Sequence, residues 1–318
     1  MNRTIVSLAA CRAALLLAVV AAPALRGIVI IPTFDSSITG DPSAATIEST
    51  INNALSIYST TFTDPITVRI TFQSMASGLG QSNTAYLSSS YTQVLGALTA
   101  DATSASDTIA LAHLPGGTNN PVTGDTTDFS VSTANAKALG LIADGDYAGT
   151  DSTISLNLSM MNFDRVSINN AKYDLQAVVQ HEVDEALGWS SGLGTAKTNL
   201  QDLFRYANSG SRSYTTAGDN AYFSIDGTTL LARFNQNQVL TGGDYGDWWS
   251  ETGAQTPQVQ DAFGTPGAIP DLGVELTGLD VIGYTVASIP EPAAGSLTAA
   301  LLGLIVVARS RRHLLRRV

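Results

Sequence analysis

Cysteine is nearly absent from this chain, histidine is scarce and basic residues are few, and each shortage narrows what the protein can be. One of the 318 residues is cysteine, and that one, Cys11, stands in the N-terminal segment ahead of residue 25. The domain beyond it therefore has no disulfide and depends on its core or on bound metal. The only histidines are His113, His181 and His313, and His313 lies in a basic tail, so a three-histidine metal site within one chain is excluded. No methionine follows Met161. Lys and Arg number 16 against 27 Asp and Glu. Arg3, Arg12 and the five arginines after Ala308 lie outside residues 25–292, which leaves that stretch a formal charge of about −18. So acidic a surface argues against nucleic acid and anionic membranes as partners, and it is compatible with calcium. Long apolar runs occur only at the two ends, and no internal repeat is visible.

Those ends read as targeting segments. Residues 1–24 carry Arg3 and Arg12, a short apolar stretch from Ala13 to Ala21, then Ala22-Pro23-Ala24. This is the layout of a secretory signal peptide, and the apolar stretch is short for a bilayer span. At the other end Ile289-Pro290-Glu291-Pro292 precedes an apolar run over 293–308 and then Arg309, Arg311, Arg312, Arg316 and Arg317. The run is just long enough to span a membrane, with the arginines on the cytoplasmic side. The tripeptide, apolar helix and arginine cluster, in that order, resemble the PEP-CTERM sorting signal of Gram-negative bacteria. That resemblance implies export, a transient membrane anchor over 287–318 and processing by an exosortase, which leaves the protein on the cell surface or in the extracellular matrix.

Between the ends, residues 25–286 read as one domain. Gly27–Pro32 is expected to be a strand, Ser43–Thr60 a helix with Ile47, Ile51, Ala54, Leu55 and Tyr58 on one face, and Ile66–Phe72 an alternating strand. Strand, helix and strand in that order suggest a βαβ opening. Tyr86–Thr99 is expected to be a second helix, with strands at Asp107–Leu114 and Ala136–Ile142. Thr153–Ser159 alternates as a sheet edge able to pair with an extended peptide would. Lys172–Leu187 reads as a helix stopped by Gly188. Residues 189–286 are irregular, with a hairpin expected at Ala221–Asp226 and Leu230–Phe234 around Gly227.

The chemistry concentrates in Gln180-His181-Glu182-Val183-Asp184-Glu185-Ala186-Leu187-Gly188. On a helix His181 and Glu185 share a face and can hold one metal ion. Glu182 beside them can act as general base for a metal-bound water. A solvated i,i+4 pair, with Asp184 next to it, is the other reading of this spacing. The spacing is that of H-E-x-x-H with glutamate at the second histidine. Zinc accepts carboxylate oxygen, and one imidazole with two carboxylates also suits iron or manganese. Asp202 is the first choice for the third ligand, and His113 and Asp247 are the alternatives. Gly243–Asp247 and Ser224–Gly227 read as calcium loops or plain turns. Trp248 and Trp249 line a cleft or pack in the core. Arg205, Tyr206 and Tyr245 are candidates to stabilise an oxyanion.

With Pro32–Thr39, Asp202–Tyr206 and Leu279–Tyr284 added to the motif, the chain resembles exported zincin-type metalloproteases of PEP-CTERM bacteria in which the second motif position is commonly glutamate. The resemblance implies an α+β zincin-like fold of mixed sheet, active-site helix and irregular C-terminal lobe. It also implies a secreted zinc-dependent endopeptidase acting on protein or peptide substrates, with His181, Glu185 and Asp202 on the metal and Glu182 as base. A non-catalytic surface or biofilm-matrix protein on a degenerate scaffold is the competing expectation. Loss of the second histidine favours it, and retention of Glu182 favours the enzyme.

Overall fold

The computed structural model describes residues 27–287 except 209, 218–219, 237–242 and 251–255. The expected signal peptide over 1–24, the sorting tripeptide and the span over 293–308 lie outside the described residues. Among the described residues no helix is long and apolar enough to cross a membrane.

The opening βαβ unit forms as its periodicities dictate. β1 (Val29–Phe34) leads through the short helix α1 (Ser36–Thr39) into α2 (Ala44–Thr61), which buries Ile47, Ile51, Ala54, Leu55 and Tyr58. β2 (Thr67–Ser74) then runs parallel to β1, with Val29 opposite Thr67 and Phe34 opposite Phe72. The sheet continues through β6 (Ser152–Leu156), parallel to β2, and ends on β3 (Gly80–Thr84), antiparallel to β6. The Thr153–Ser159 segment is thus an interior strand as far as Leu156, not the edge, and then a 3₁₀ turn over Leu158–Met160. The alternation of Ser155 and Asn157 with apolar residues points to a solvated face, yet Ser155 and Asn157 are buried along with Ile154 and Leu156. The edge nearest the motif helix is β3, whose sequence GQSNT has no apolar residue to announce a strand.

Three expected elements change type. Asp107–Leu114 is helical as far as His113, in α4 (Ala105–His113), because Ser104 and Asp107 form a reciprocal capping box. The alternation of Ile109, Leu111 and His113 does not mark a strand, for Asp107 and Ala110, three apart, are the buried pair. Ala136–Ile142 holds the end of α5 (Thr133–Ala138), which Ser132 caps by accepting from the Asn135 amide. Tyr86–Thr99 divides into β4 (Tyr86–Ser89), paired with β5 (Phe129–Ser132), and α3 (Tyr91–Asp101), which starts at a capping box on Ser90 and Gln93.

A two-residue ladder of β7 (Met161–Asn162) with β8 (Tyr173–Asp174) sets the start of the motif helix α6 (Leu175–Ala186). Asp174 caps it by accepting from the Gln176 amide. The helix stops as expected at Gly188, whose φ of 108° is open to glycine at little cost. α6 packs beside α2 and against β3 and β6 of the sheet. On the α2 side the Tyr58 hydroxyl donates to the Asp184 carboxylate at 2.7 Å, and Asp184 is fully buried. The motif is therefore not a solvated helix face.

Beyond α6 a 3₁₀ turn (Leu200–Phe204) leads to β9 (Arg205–Asn208), β10 (Ser211–Arg212), β11 (Tyr222–Phe223) and β12 (Ala232–Arg233), a small antiparallel sheet in the order β10-β9-β11-β12. β11 and β12 form the expected hairpin. Trp189, Phe204, Phe223, Phe234 and Trp248 pack as a buried aromatic cluster, largely edge to face, with Trp189 and Phe223 centroids 4.9 Å apart. Trp248 is thus core and not cleft wall. The last helix, α7 (Glu275–Val281), is followed by Tyr284, whose hydroxyl donates to the Leu187 carbonyl at the end of α6. The architecture is mixed α+β, with a regular N-terminal part, the motif helix and an irregular C-terminal part.

Candidate metal centre

α6 turns His181, Glu182 and Glu185 toward a cleft of about 580 Å³, with Gly80, Gln81 and Ser82 of β3 on one side and Asp244, Asp247 and Val259 on the other. One potential ligand atom from each of His181, Glu185 and Asp247 lies within 4.8 Å of the other two. Among the described residues no other set of three His, Cys, Asp or Glu side chains converges in this way.

Each member of the group is held by a neighbour. His181 Nδ1 is 3.0 Å from the Val259 carbonyl oxygen, so the hydrogen belongs on Nδ1 and Nε2 is left facing the cluster, 3.6 Å from Asp247 Oδ1. Glu185 Oε2 accepts from the Ser82 hydroxyl at 2.6 Å, which ties the helix to the edge strand. Asp247 Oδ1 accepts from the Gln260 amide at 3.2 Å. Glu182, 5% exposed, lies against Gly80, where an added Cβ would come within 2.9 Å of Glu182 Cγ and Cδ. Only glycine admits the carboxylate this close to β3.

Four acidic side chains, Glu182, Glu185, Asp244 and Asp247, thus gather around one imidazole in a largely desolvated pocket. Burial alone would favour neutral His181, but the charges of Asp247, Glu182 and Glu185 outweigh it and raise its pKa to about 10. Burial raises Asp247 to about 7, and His181 opposes it. Burial, then the charge of Glu185, holds Glu182 well above the ordinary carboxylate range, and burial raises Glu185 as well. Protein alone leaves this much negative charge under-compensated, so the pocket must take up protons or a cation. One imidazole nitrogen and two carboxylates are a donor set that fits a divalent ion.

Asp202 is not part of the group. Its fully buried carboxylate accepts from the Ser191 hydroxyl at 2.5 Å, the Gly192 amide at 3.0 Å and the Asn199 amide at 2.9 Å. It closes a capping box with Asn199 at the head of the 3₁₀ turn, which is why an acid stands there. Asp247, the alternative, takes the place expected of Asp202. His113 is exposed at the end of α4, with Nδ1 2.8 Å from the Ile109 carbonyl. Asp226 spends its carboxylate on the Thr228 and Thr229 amides, an Asx turn and not a calcium loop. Arg205 is buried over the Phe234 ring and donates to the Tyr245 carbonyl. None of Arg205, Tyr206 and Tyr245 lines the cleft; the phenol that does is Tyr173. Sequence reasoning missed Gly80, Ser82, Val259 and Gln260, whose roles depend on packing between segments far apart in the chain. No protein-family model, curated protein or solved structure matches this chain.

Proposed function

We propose that this protein is an exported metal-dependent endopeptidase of zincin type, with His181, Glu185 and Asp247 holding a divalent ion, zinc in the first instance, and Glu182 as general base. The observation that carries the reading is the convergence of three ligand atoms beside a buried glutamate, in a cleft walled by a sheet edge. Held by His181, Glu185 and Asp247, a divalent ion would supply Lewis acidity for a scissile carbonyl and for water. Glu182 takes a proton from the attacking water at its carboxylate and returns it to the leaving amine. β3 offers its free backbone edge to an extended peptide, which pairs along Gly80–Ser82 and crosses the cleft. Val259 fixes the His181 tautomer, and Ser82 orients Glu185. The ends of the chain belong to the same reading: the leader directs export, and the tail is cut near Pro290-Glu291-Pro292, releasing the domain outside the inner membrane.

A non-catalytic surface protein is the second reading, and the two carboxylates in the ligand set favour it, since they neutralise the ion and weaken it as a Lewis acid. Glu182→Gln separates the two. In the enzyme it abolishes cleavage of an unstructured protein such as casein and leaves metal content and thermal stability near the parent's. Equal cleavage by parent and variant removes the mechanism, and a parent that carries metal but cleaves nothing favours the second reading.

A further inference from the structure

Gln260 is fully buried, and its backbone is fixed from both sides. Its amide donates to Glu275 Oε1 at 3.2 Å, and its carbonyl accepts from the Trp248 amide at 2.7 Å. Glu275 is itself buried and also accepts from the Trp248 indole nitrogen at 3.0 Å and the Gly273 amide at 2.7 Å. The Gln260 side chain is thus aimed by rigid structure at the acidic cluster. Its Nε2 lies 3.2 Å from Asp247 Oδ1 and 3.4 Å from His181 Nε2, and those two atoms are 3.6 Å apart.

These three separations have a chemical meaning. Ligand atoms about 2.0–2.2 Å from a tetrahedral ion stand about 3.3–3.6 Å from one another. The end of the Gln260 side chain therefore occupies a vertex of the ligand polyhedron and not the ion's own position, which would be about 2 Å from both atoms. Its other terminal atom, Oε1, is buried without a hydrogen-bond partner. The nitrogen and oxygen of a carboxamide have nearly the same shape, so turning the group over leaves the packing unchanged. With the pocket free of cations, an inward NH₂ suits the Asp247 carboxylate, which accepts from it. A cation on the inner side of the same vertex repels that NH₂ and attracts the oxygen.

We propose that Gln260 is a fourth protein ligand of the metal centre: its carboxamide turns over as a divalent ion enters and presents Oε1 to it. The inference rests on the reading that His181, Glu185 and Asp247 hold the ion. It makes the resting centre four-coordinate through protein alone, so that substrate or water must expand the coordination or displace the amide oxygen. The neutral oxygen adds no negative charge to an ion already facing two carboxylates.

Cobalt(II) titration of the full chain, followed by its visible d–d absorption, tests this without reference to turnover. The parent is expected to bind one cobalt per chain with the intense absorption of a four-coordinate site. Gln260→Leu, which removes the oxygen, and Gln260→Asn, which keeps the carboxamide but withdraws it by one methylene, should each weaken cobalt binding at least roughly tenfold. Each should also let azide alter the spectrum at lower concentration, because a vertex has opened. Should Gln260→Leu not fold, Gln260→Asn decides alone. Cobalt affinity and azide response equal to the parent's, or tighter binding in either variant, would overturn the proposal and leave Gln260 a hydrogen-bonded plug. A parent that takes up no cobalt sinks the metal reading itself, which is a different result from altered affinity in the variants.

Discussion

Exchanging the fates of two aspartates probes the site from both sides. Asp202 and Asp247 are both buried acids in the C-terminal part, but one carboxylate is consumed by the fold and the other faces the cluster. Asp202→Ala strands a hydroxyl and two amides that now donate to it. At about 1–3 kcal/mol for each buried donor left unpaired, and with water entering to offset part of the loss, the expected cost is about 3–5 kcal/mol. For a domain of this size that lowers Tm by on the order of 10 °C. The surviving folded protein should still carry its metal. Asp247→Ala should do the reverse. It removes a ligand and weakens metal binding more than roughly 100-fold, beyond the loss that an outer partner brings. In chelator its Tm should stay close to the parent's, because a carboxylate under repulsion from Glu185 and Asp244 has gone. Differential scanning calorimetry with and without chelator, together with elemental analysis of the dialysed proteins, measures both effects. Metal lost from folded Asp202→Ala and kept by Asp247→Ala would refute the assignment.

Two further outcomes follow from the same geometry. Gly80→Ala places a methyl group against Glu182 and should lower kcat at least roughly tenfold with metal content unchanged, since a displaced base loses its alignment; a kcat equal to the parent's would mean that Glu182 does not act from this position. Asp101 titrates at about 7 because of burial and the nearby charges of Asp64, Asp107 and Asp280, a raised folded-state value. The folded state therefore holds more protons than the unfolded one between about pH 4 and 7, and stability falls as pH rises through that window. Asp101→Asn should gain about 1 kcal/mol over the parent at pH 8, discounted for partial exposure, and nothing at pH 4; an equal gain at both, from urea unfolding curves, would contradict the linkage.

An element is legible in the sequence to the extent that its signal is local. α2 and β2 follow from their own apolar periods, and Gly188 ends α6 because its conformation is set by its nearest neighbours. His181, Glu182 and Glu185 were legible because one helix presents all three. β3 was not, since an edge strand can be built from Gly, Gln, Ser, Asn and Thr when its partner β6 supplies the apolar contacts. α4 and the end of α5 read as strands by their short apolar alternations, but the capping chemistry of Ser104 and Ser132 decides for helix. The choice between Asp202 and Asp247 turned on which carboxylate had spent its lone pairs at home. The loop sequence Gly-Asp-Tyr-Gly-Asp followed by Trp248 held one clue, an acid fixed beside an aromatic anchor. Gln260 left none, because its role lies in where Glu275 and Trp248 hold its backbone.

Elemental analysis of the full-length protein, purified without added metal or chelator, bears most directly on the proposed centre. One divalent ion per chain is expected in the parent, falling to a small fraction in Glu185→Ala and in Asp247→Ala while both remain folded by circular dichroism. A folded parent without stoichiometric metal, or a full complement of metal in both variants, would contradict the assignment of His181, Glu185 and Asp247 as ligands.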